Sequence, residues 1–467
     1  MSTIAEKLAD FVVTITFDTI PKEVTERAKS YVLDYLGVAL YGSTITSSKI
    51  MTDVMFDLDN KKESTVIGYS NKMSCANAAL VNATASQAIE MDTSHITSVV
   101  LCGGVAIPAP LALAERQNAN GKDFLTSVVV GYELANRVGD AFLGTQYYEG
   151  FHPTGVCGVF GAAGAAAKIL GLDKESLTRA LGIAGDQAAG LEEWKADGSW
   201  IKRWHSGKAS HNGILAALLA QKGYTGPATI FEGDNGFLKA FSFERKWDAT
   251  KITEGLGKEY RGHNTGFKPY ASCRFTHQLI EATLNLVSKQ KIEPENIKEI
   301  TVTVCETLHR ALFRPEDRKR KPVTTVDAQF SIPYVVASAI VRHRVLPTEF
   351  TEESIRDVKV LEVASKVKGI SDSEYEKTYP EKLCTNLVIN MKDGKEYTAY
   401  ADTPKGEPSN PRYEGKPELF SQDIEDKFRG LLSLLPAYKD RTDKIVEEVK
   451  NLDKVDNILK LTKLLRS

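Results

Sequence analysis

The sequence predicts a mainly α-helical protein with a smaller α+β domain. Apolar residues recur at helical spacing from the N-terminus to about residue 265, and strand-like alternation appears only after that point. A chain of 467 residues also exceeds one ordinary core, since a domain usually holds about 100 to 200 residues. We therefore predict a helical domain at 1–265, an α+β lid domain at 266–403, and a helical segment at 404–467 that returns to the first domain.

The first region is expected to consist of successive helices with short breaks. Two of them are rich in alanine, glycine and small polar residues, which predicts that other helices approach them closely. Pro21 suits a first-turn position. The predicted helices are Ala5–Val13, Pro21–Leu40, Ser47–Leu58, Ala76–Ile89 and Gly155–Leu170.

A glycine triplet at Gly155, Gly158 and Gly161 invites comparison with a dinucleotide-binding loop. It has no preceding strand, and its spacing is not G-x-G-x-x-G. Close helix packing is the favoured interpretation.

The second region mixes strands and helices. Ile297–Val304 alternates in strand fashion, Ala328–Val345 returns to helical spacing, and Leu387–Tyr400 reads as two strands around Asp393-Gly394, a strong hairpin signal. After a polar, proline-bearing segment, charged helices are expected from Ser421 to Leu465. These resemble the first region in character.

Composition excludes several classes of function. The formal net charge of -2 gives no overall attraction to nucleic acid or to a membrane. We expect no apolar stretch of the roughly 18 to 20 residues that a membrane helix needs, and the N-terminus does not resemble a signal peptide, so a cytoplasmic protein is expected. The six cysteines form no C-x-x-C pair, which argues against a zinc site, an iron–sulfur cluster or a disulfide framework.

The densest group of candidate functional residues is the segment WIKRWHSGKASHNG, from Trp200 to Gly213, with Trp194 and Lys195 just before it. Cations beside aromatic rings suit the capture of carboxylates, because Lys and Arg donate charge-assisted hydrogen bonds. The alternative is a solvated basic turn between two helices. The tryptophans favour the functional interpretation, since tryptophan seldom decorates a plain surface loop.

Three other segments carry groups suited to acid–base chemistry or anion binding. His152 begins HPTG at an expected helix start, where its alternative role is a capping turn. Lys268 in FKPY and Arg274 in CRFTH lie where the helical region ends, a common place for a pocket. The segment from Glu90 to His95 could bind a metal, but a polar helix end explains it better.

Taken together, these segments resemble the MmgE/PrpD family in order and approximate spacing. The resemblance covers nearly the whole chain and includes LDYLGVALYGS, HPTGVCGVFGAAGAAAKILGLD, IKRWHSGKASHNG and FKPYASCRFTH. It implies a large helical domain built from both termini, a smaller α+β lid, a homodimer, and an active site between the domains with no organic cofactor and no metal.

The resemblance also implies site residues. Carried over motif by motif, the catalytic positions are His152, Lys202 and Lys268. The remaining matched positions, which would bind substrate, are Glu90, Ser94, His205, Arg274 and His277.

The chain departs from the family pattern at several of these positions. The family segment DFDDTHxxSxxHPG aligns with residues 90–103, and its later His becomes Leu101, which cannot transfer a proton. Glu90 and Ser94 stand where Asp and Thr are usual. A rough alignment places His309 where decarboxylases of the family have a Tyr.

The family resemblance implies a cofactor-independent lyase that acts on a small di- or tricarboxylate by removal of an α-proton. 2-Methylcitrate dehydratase and cis-aconitate decarboxylase are the reference activities. An epimerase or isomerase acting on a dicarboxylate such as iminodisuccinate is the alternative, because Leu101 favours a reaction that needs fewer proton-transfer groups. A non-catalytic binding protein is a further alternative.

Overall fold

The structure, a computed structural model, describes residues 2–243, 246–379 and 382–467. It is 60% helix and 7% strand, which confirms a mainly α protein. A four-stranded sheet lies between residues 297 and 401, which confirms the smaller α+β part.

Helices dominate the first 253 residues, with one short two-stranded ribbon among them. The elements are α1 (Ile4–Thr14), α2 (Lys22–Gly42), α3 (Thr46–Leu58), β1 (Ser64–Thr65), β2 (Lys72–Met73), α4 (Cys75–Gln87), α5 (Gly103–Ala106), α6 (Pro108–Gln117), α7 (Gly121–Asp140), α8 (Thr145–Tyr148), α9 (Pro153–Val156), α10 (Gly158–Leu170), α11 (Lys174–Asp186), α12 (Trp194–Asp197), α13 (Ile201–Gln221), α14 (Phe237–Ala240) and α15 (Thr250–Thr253).

The sheet and its helices follow. These elements are α16 (His277–Lys289), β3 (Ile297–Val304), α17 (Glu306–Phe313), α18 (Glu316–Arg320), α19 (Thr325–Gln329), α20 (Ile332–Arg342), α21 (Val358–Ser365), β4 (Val367–Ser371), α22 (Ser373–Glu376), β5 (Thr385–Met391) and β6 (Glu396–Ala401).

The sheet has the strand order β4-β3-β5-β6, in which β3 pairs parallel with β4 and antiparallel with β5. The hairpin of β5 and β6 turns at Gly394, whose positive φ of 88° suits glycine. The inward residues of β3 and β5 are buried in alternation, as expected of a sheet with one face covered by helices. The edge strand β4 was not predicted, because VKGIS has too short an alternation to signal a strand.

The chain then returns to the first helices through α23 (Pro417–Ser433), α24 (Thr442–Lys450) and α25 (Leu459–Thr462). The helix α23 packs against α2, where the buried Lys427 Nζ donates to Asp34 Oδ1 at 2.6 Å. The same ammonium also donates to the backbone carbonyl of Met91. The C-terminal segment is thus part of the helical core.

The predicted close approach at the glycine triplet is present in the structure. A β-carbon at Gly158 would lie 2.7 Å from Val105 Cγ1, and one at Gly161 would lie 2.6 Å from the carbonyl oxygen of Gly131. The predicted helix is broken at Cys157 into α9 and α10. Glycine serves here to bring backbones together, since any side chain would collide with a neighbouring helix.

The expectation that no segment reaches membrane-spanning length is wrong. Among the described residues, Pro153–Leu170 is long and apolar enough by length and composition, with a mean hydropathy of 1.3. However, 83% of this segment is buried inside the protein. A buried core helix passes the same test, and packing within the helical core accounts for its apolar composition.

The segment for which a solvated basic turn was the alternative interpretation forms the first half of the long helix α13. Small residues along α13 let its neighbours come close: a β-carbon at Gly207 would lie 2.6 Å from the carbonyl of Leu80 on α4, and one at Gly213 would lie 2.5 Å from Ala162 Cβ on α10. Packing against α4 and α10 stabilises this segment as a helix. Its charges alone would leave it exposed.

We expect Gly213→Val to lower the free energy of unfolding by about 1 to 3 kcal/mol, because the new side chain must displace α10 from α13. The matched control is Gly430→Ala on α23, where a β-carbon meets nothing within 4 Å. It should raise the free energy of unfolding by about 0.5 to 1 kcal/mol through helix propensity. Urea unfolding measures both, and equal effects at the two positions would contradict tight packing at Gly213.

Candidate active site

A buried cavity of about 70 Å³ lies where the helical region meets the loops that lead into the α+β part. Its walls come from residues 90–101, 147–152, 194–202 and 268–275, together with Phe330. Four of the segments singled out in the sequence therefore converge on one cavity. A largely apolar cavity with a few charged groups is the usual form of a small-molecule site.

At the floor of the cavity, the Glu90 carboxylate lies between two buried lysines. Lys202 Nζ forms an ion pair with Glu90 Oε1, and Lys268 Nζ lies 3.1 Å from Glu90 Oε2. Lys268 also lies 3.3 Å from Asp92 Oδ1, which in turn accepts at its other oxygen from Gln87 Nε2 at 3.1 Å. Two ammonium groups and two carboxylates thus balance one another out of contact with solvent.

The pKa values of Glu90 and Lys268 are shifted in the directions that keep both groups ionised. Burial acts to raise the pKa of Glu90, but Lys202 and Lys268 outweigh burial and lower it to about 2. Burial likewise acts to lower the pKa of Lys268, and Glu90 and Asp92 outweigh it, so that the pKa is raised. Glu90 and Lys268 therefore stay charged across the neutral pH range.

The loop that carries Glu90 is held in a strained backbone conformation. Glu90 and Val99 both have positive φ values, of 56° and 57°, which cost roughly 1 to 3 kcal/mol each in a residue other than glycine. Ser94 and Gly266 exchange backbone hydrogen bonds of 2.9 and 3.0 Å. This pairing fixes the loop beside the strand-like segment that leads to Lys268, so that the carboxylate and the ammonium meet.

His152 lines the cavity as the N-cap of the short helix α9, as its place in the sequence predicts. Its Nδ1 lies 2.8 Å from His205 Nδ1, and its backbone N–H donates to the Gly190 carbonyl at 3.0 Å. Burial, followed by the charges of His205 and Lys202, lowers the pKa of His152 well below its ordinary value. Burial also lowers the pKa of His205, to about 4. Both rings are therefore neutral at neutral pH.

A contact between two neutral imidazole nitrogens requires one donor and one acceptor. When His152 donates from Nδ1, its Nε2 carries a lone pair and can accept a proton. When His205 donates instead, His152 Nε2 carries a hydrogen and can donate a hydrogen bond. His205 does not line the cavity itself, and through this contact its own tautomer and that of His152 are linked.

Arg274 offers donors to a ligand. One of its nitrogens, Nη2, is paired with Glu407, while the buried Nε and Nη1 have no hydrogen-bond partner among the described residues. Because Arg274 lines the cavity, these two donors can be satisfied by a carboxylate that enters it. Ser94 lines the cavity as well.

Besides His205, two residues considered in the sequence are absent from the cavity wall. His277 is fully buried behind Arg274, its Nε2 lies 3.1 Å from the Ser272 carbonyl oxygen, and it does not line the cavity. This contact ties His277 to the turn that carries Arg274, and its predicted role in substrate binding stays a prediction. His309 stacks on Phe313 of α17 and is also absent from the cavity wall.

Sequence reasoning missed part of the cavity wall. Tyr147 and Phe330 line it without any motif to mark them, and Phe330 reaches it from a distant part of the chain. His95 also lines it, with Nδ1 3.0 Å from Ser98 Oγ. The family segment could have indicated His95, but the two aromatic residues become visible only through the folded structure.

Comparison with known families assigns the chain. The MmgE/PrpD N-terminal domain matches residues 6–250, and the MmgE/PrpD C-terminal domain matches residues 270–452. The chain belongs to the MmgE/PrpD family.

Several characterised MmgE/PrpD proteins resemble it. The cis-aconitate decarboxylase-like protein oryM of Aspergillus oryzae is 30% identical, covering 99% of this chain and 97% of that protein. The cis-aconitate decarboxylase of Aspergillus terreus is 28% identical, with 99% and 96% covered. The 2-methylcitrate dehydratase of Escherichia coli K12 is 23% identical over 56% of this chain and 54% of that protein. Membership of this family, with decarboxylases and dehydratases as relatives, identifies an enzyme of lyase type.

The departure from the MmgE/PrpD pattern at Leu101 lies in the cavity wall. Leu101 is buried, and its backbone N–H donates to Thr154 Oγ1 at 3.0 Å. An aliphatic side chain therefore lines the cavity at the position that the family resemblance aligns with the later His of its segment. Leu101 itself cannot transfer a proton.

Replacing Glu90 should destabilise this MmgE/PrpD protein strongly. In Glu90→Gln, Lys202 loses its buried counter-ion, and we expect a loss of about 3 to 5 kcal/mol in the free energy of unfolding. The control is Glu299→Gln, which removes a partly exposed partner of Lys368 and should cost at most about 1 kcal/mol. If urea unfolding gave similar losses for both, the cluster would not be the electrostatic centre of the fold.

The His205 pKa predicts a pH dependence of stability. A pKa of about 4 in the folded protein, against an ordinary 6.5, means that the unfolded chain binds the extra proton first as the pH falls. The stabilisation is present above pH 6.5 and is lost below it, by about 2 kcal/mol at pH 5.

His205→Gln should remove that part of the pH dependence. Urea unfolding gives the free energy of unfolding of both proteins at pH 7.5 and at pH 5. The readout is how much the change between the two pH values differs between the proteins. Because the pKa of Glu90 is about 2, its own contribution does not change over this interval. Identical pH dependence in the two proteins would show that His205 titrates normally.

Proposed function

We propose that this protein is a cofactor-independent lyase that removes carbon dioxide from a small unsaturated tricarboxylate such as cis-aconitate. The observation that carries the proposal is the buried cavity in which Lys202, Lys268 and Arg274 surround the neutral ring of His152. Full-length similarity to decarboxylases supports it, since the dehydratase match covers about half of the chain.

The cations of the cavity suit a polycarboxylate. Arg274 has two buried donors free for one carboxylate, and Lys202 lies at the cavity wall for another. Glu90 already neutralises part of the lysine charge, so the site binds anions without holding an unbalanced cluster of cations when empty. Trp194 and Phe330, with ring centroids 5.4 and 4.9 Å from Lys202 Nζ, limit water around that ammonium.

Decarboxylation of cis-aconitate requires the addition of one proton to carbon, and no proton is removed from the substrate. The bond between the CH₂ carbon and its carboxylate breaks, carbon dioxide leaves, and the electron pair forms a new double bond to the central carbon. The electrons of the former double bond take up a proton at the CH carbon. A tricarboxylate and one proton thus yield a dicarboxylate and carbon dioxide.

His152 is the proposed proton donor. Its ring is neutral in the empty site, where burial and nearby cations disfavour the imidazolium. Substrate carboxylates bring negative charge into the cavity, which raises the pKa of His152 and allows it to take up a proton and pass it to carbon. Lys202 and Lys268 stabilise the negative charge that develops on the remaining carboxylate.

The loss of an ionisable side chain at Leu101 favours this reaction over dehydration. Removal of water from a β-hydroxy acid needs a base for the C–H proton and an acid for the leaving hydroxyl, whereas decarboxylation needs one donor only. His95 and His152 are the histidines of the described cavity wall.

The first experiment follows product formation by NMR in deuterated water. With cis-aconitate, we expect carbon dioxide and a dicarboxylate that carries one deuterium at the protonated carbon. His152→Gln should reduce kcat by about 10²- to 10⁴-fold, because the proton donor is lost. The matched control is His211→Gln, which lies on α13. The His211 ring contacts the adjacent Asn212, and the variant should retain activity.

Other outcomes identify other reactions. Loss of water from 2-methylcitrate without decarboxylation of cis-aconitate would indicate a dehydratase. Deuterium entering the α-position of a dicarboxylate such as iminodisuccinate, without loss of water or carbon dioxide, would indicate an epimerase. A polycarboxylate that raises the melting temperature without any turnover would indicate a binding protein. Full activity in His152→Gln would refute the assigned proton donor.

A further inference from the structure

A second cavity adjoins the catalytic one. It has a volume of about 190 Å³ and shares with the catalytic cavity the residues Tyr147, Trp194, Cys273, Phe275 and Phe330. These side chains form a mostly aromatic wall with the small cavity on one side and the larger cavity on the other. We call the larger one the vestibule.

The vestibule is basic. Among the described residues that line it, five are cationic and one is acidic: Lys195, Arg310, Arg314, Arg318, Lys319 and Asp327. This local excess contrasts with the net charge of -2 for the whole chain. A concave surface of one sign concentrates field lines and attracts ions of the opposite charge.

Several of these cations are held in place by the surrounding structure. Arg318 Nε lies 3.0 Å from Asp327 Oδ1, and Lys319 Nζ donates to the Phe330 carbonyl at 2.7 Å, which ties the vestibule to the aromatic wall. Lys195 Nζ lies 2.7 Å from Glu192 Oε2 and 3.9 Å from the centre of the Tyr147 ring. The basic surface is therefore a formed part of the cavity.

Two arginines are more open to a ligand. Arg310 is exposed and forms no ion pair with any carboxylate of the described residues. The one ion pair of Arg314, to Glu316, is long at 3.8 Å, and both side chains are substantially exposed. Binding of an anion costs these two arginines little interaction energy, because exposed ion pairs such as that of Arg314 contribute little.

The vestibule also continues outward. A third cavity of about 350 Å³ shares Tyr147, Lys195, Phe275, Arg310 and Ala311 with it. This third cavity is bounded by Tyr148, which is 49% exposed. The catalytic cavity, the vestibule and the third cavity have volumes of about 70, 190 and 350 Å³ and are joined by shared wall residues.

We propose that the vestibule is an access site for the polycarboxylate substrate, in which Arg310 and Arg314 capture the anion before it passes the aromatic wall to the catalytic cavity. The proposal rests on the proposed function for the class of ligand, a small di- or tricarboxylate. It assigns to α17 and the following loop a role in recognition that the catalytic residues do not have. Capture in the vestibule speeds association of the substrate, and the chemical step takes place in the catalytic cavity.

The probe for the test is propane-1,2,3-tricarboxylate, which has three carboxylates but no double bond and no hydroxyl. Stopped-flow tryptophan fluorescence gives its association and dissociation rate constants at low and at high ionic strength. For Arg310→Glu we expect association at low salt to slow by about tenfold, with a shallower dependence on salt and a smaller change in dissociation.

The matched control is Arg356→Glu, an exposed arginine of the same part of the chain that pairs with the exposed Glu352 and lines none of the three cavities. It should leave both rate constants and the salt dependence as in the unaltered protein. An unchanged association rate and salt dependence in Arg310→Glu would overturn the access site. So would equal slowing in both variants, because the effect would then follow net charge alone.

Failure of the inference and failure of the proposed function are distinguishable. If cis-aconitate is not decarboxylated but Arg310→Glu still slows association of the probe, the access site stands and the reaction is wrong. If cis-aconitate is decarboxylated and Arg310→Glu binds the probe as fast as the unaltered protein, the reaction stands and the access site is wrong. Absence of any probe binding would overturn the access site alone, because the reaction is judged by turnover of cis-aconitate.

Discussion

The site is organised around the carboxylate of Glu90, which holds two buried ammonium groups from distant parts of the chain. Lys202 comes from a long helix and Lys268 from the start of the α+β part, and they are 66 residues apart in sequence. Neither lysine can be buried without a counter-ion, because an isolated buried charge costs several kcal/mol. The segments that form the cavity wall therefore come together around this balanced group of charges.

Much of the fold follows from the sequence because helical periodicity is a local signal. The main helices of the first region, the strand Ile297–Val304 and the hairpin at Asp393-Gly394 were all predictable. The short edge strand Val367–Ser371 was not, since it is stabilised by pairing with a neighbour far away in sequence. The helix around Lys202 was not predicted, because its burial depends on tertiary contacts that the pattern of charges does not show.

The candidate site was predictable to the extent that its residues lie in motifs. The family resemblance indicated Glu90, His152, Lys202 and Lys268, and the structure brings them to one cavity. It also indicated His277, which the structure buries behind the cavity. The aromatic wall carries no signal in sequence, because an aromatic residue at helical spacing usually belongs to a core. The roles of all these residues remain proposals.

The hydrogen bond from Lys427 to the carbonyl of Met91 connects the last tenth of the chain to the loop that carries the central carboxylate. During synthesis this loop emerges early, while the helix that anchors it emerges close to the end. The nascent protein thus holds a strained loop and buried charges without their final support for most of translation. The contact that anchors this loop therefore forms as a late step, after the C-terminal helices have been made.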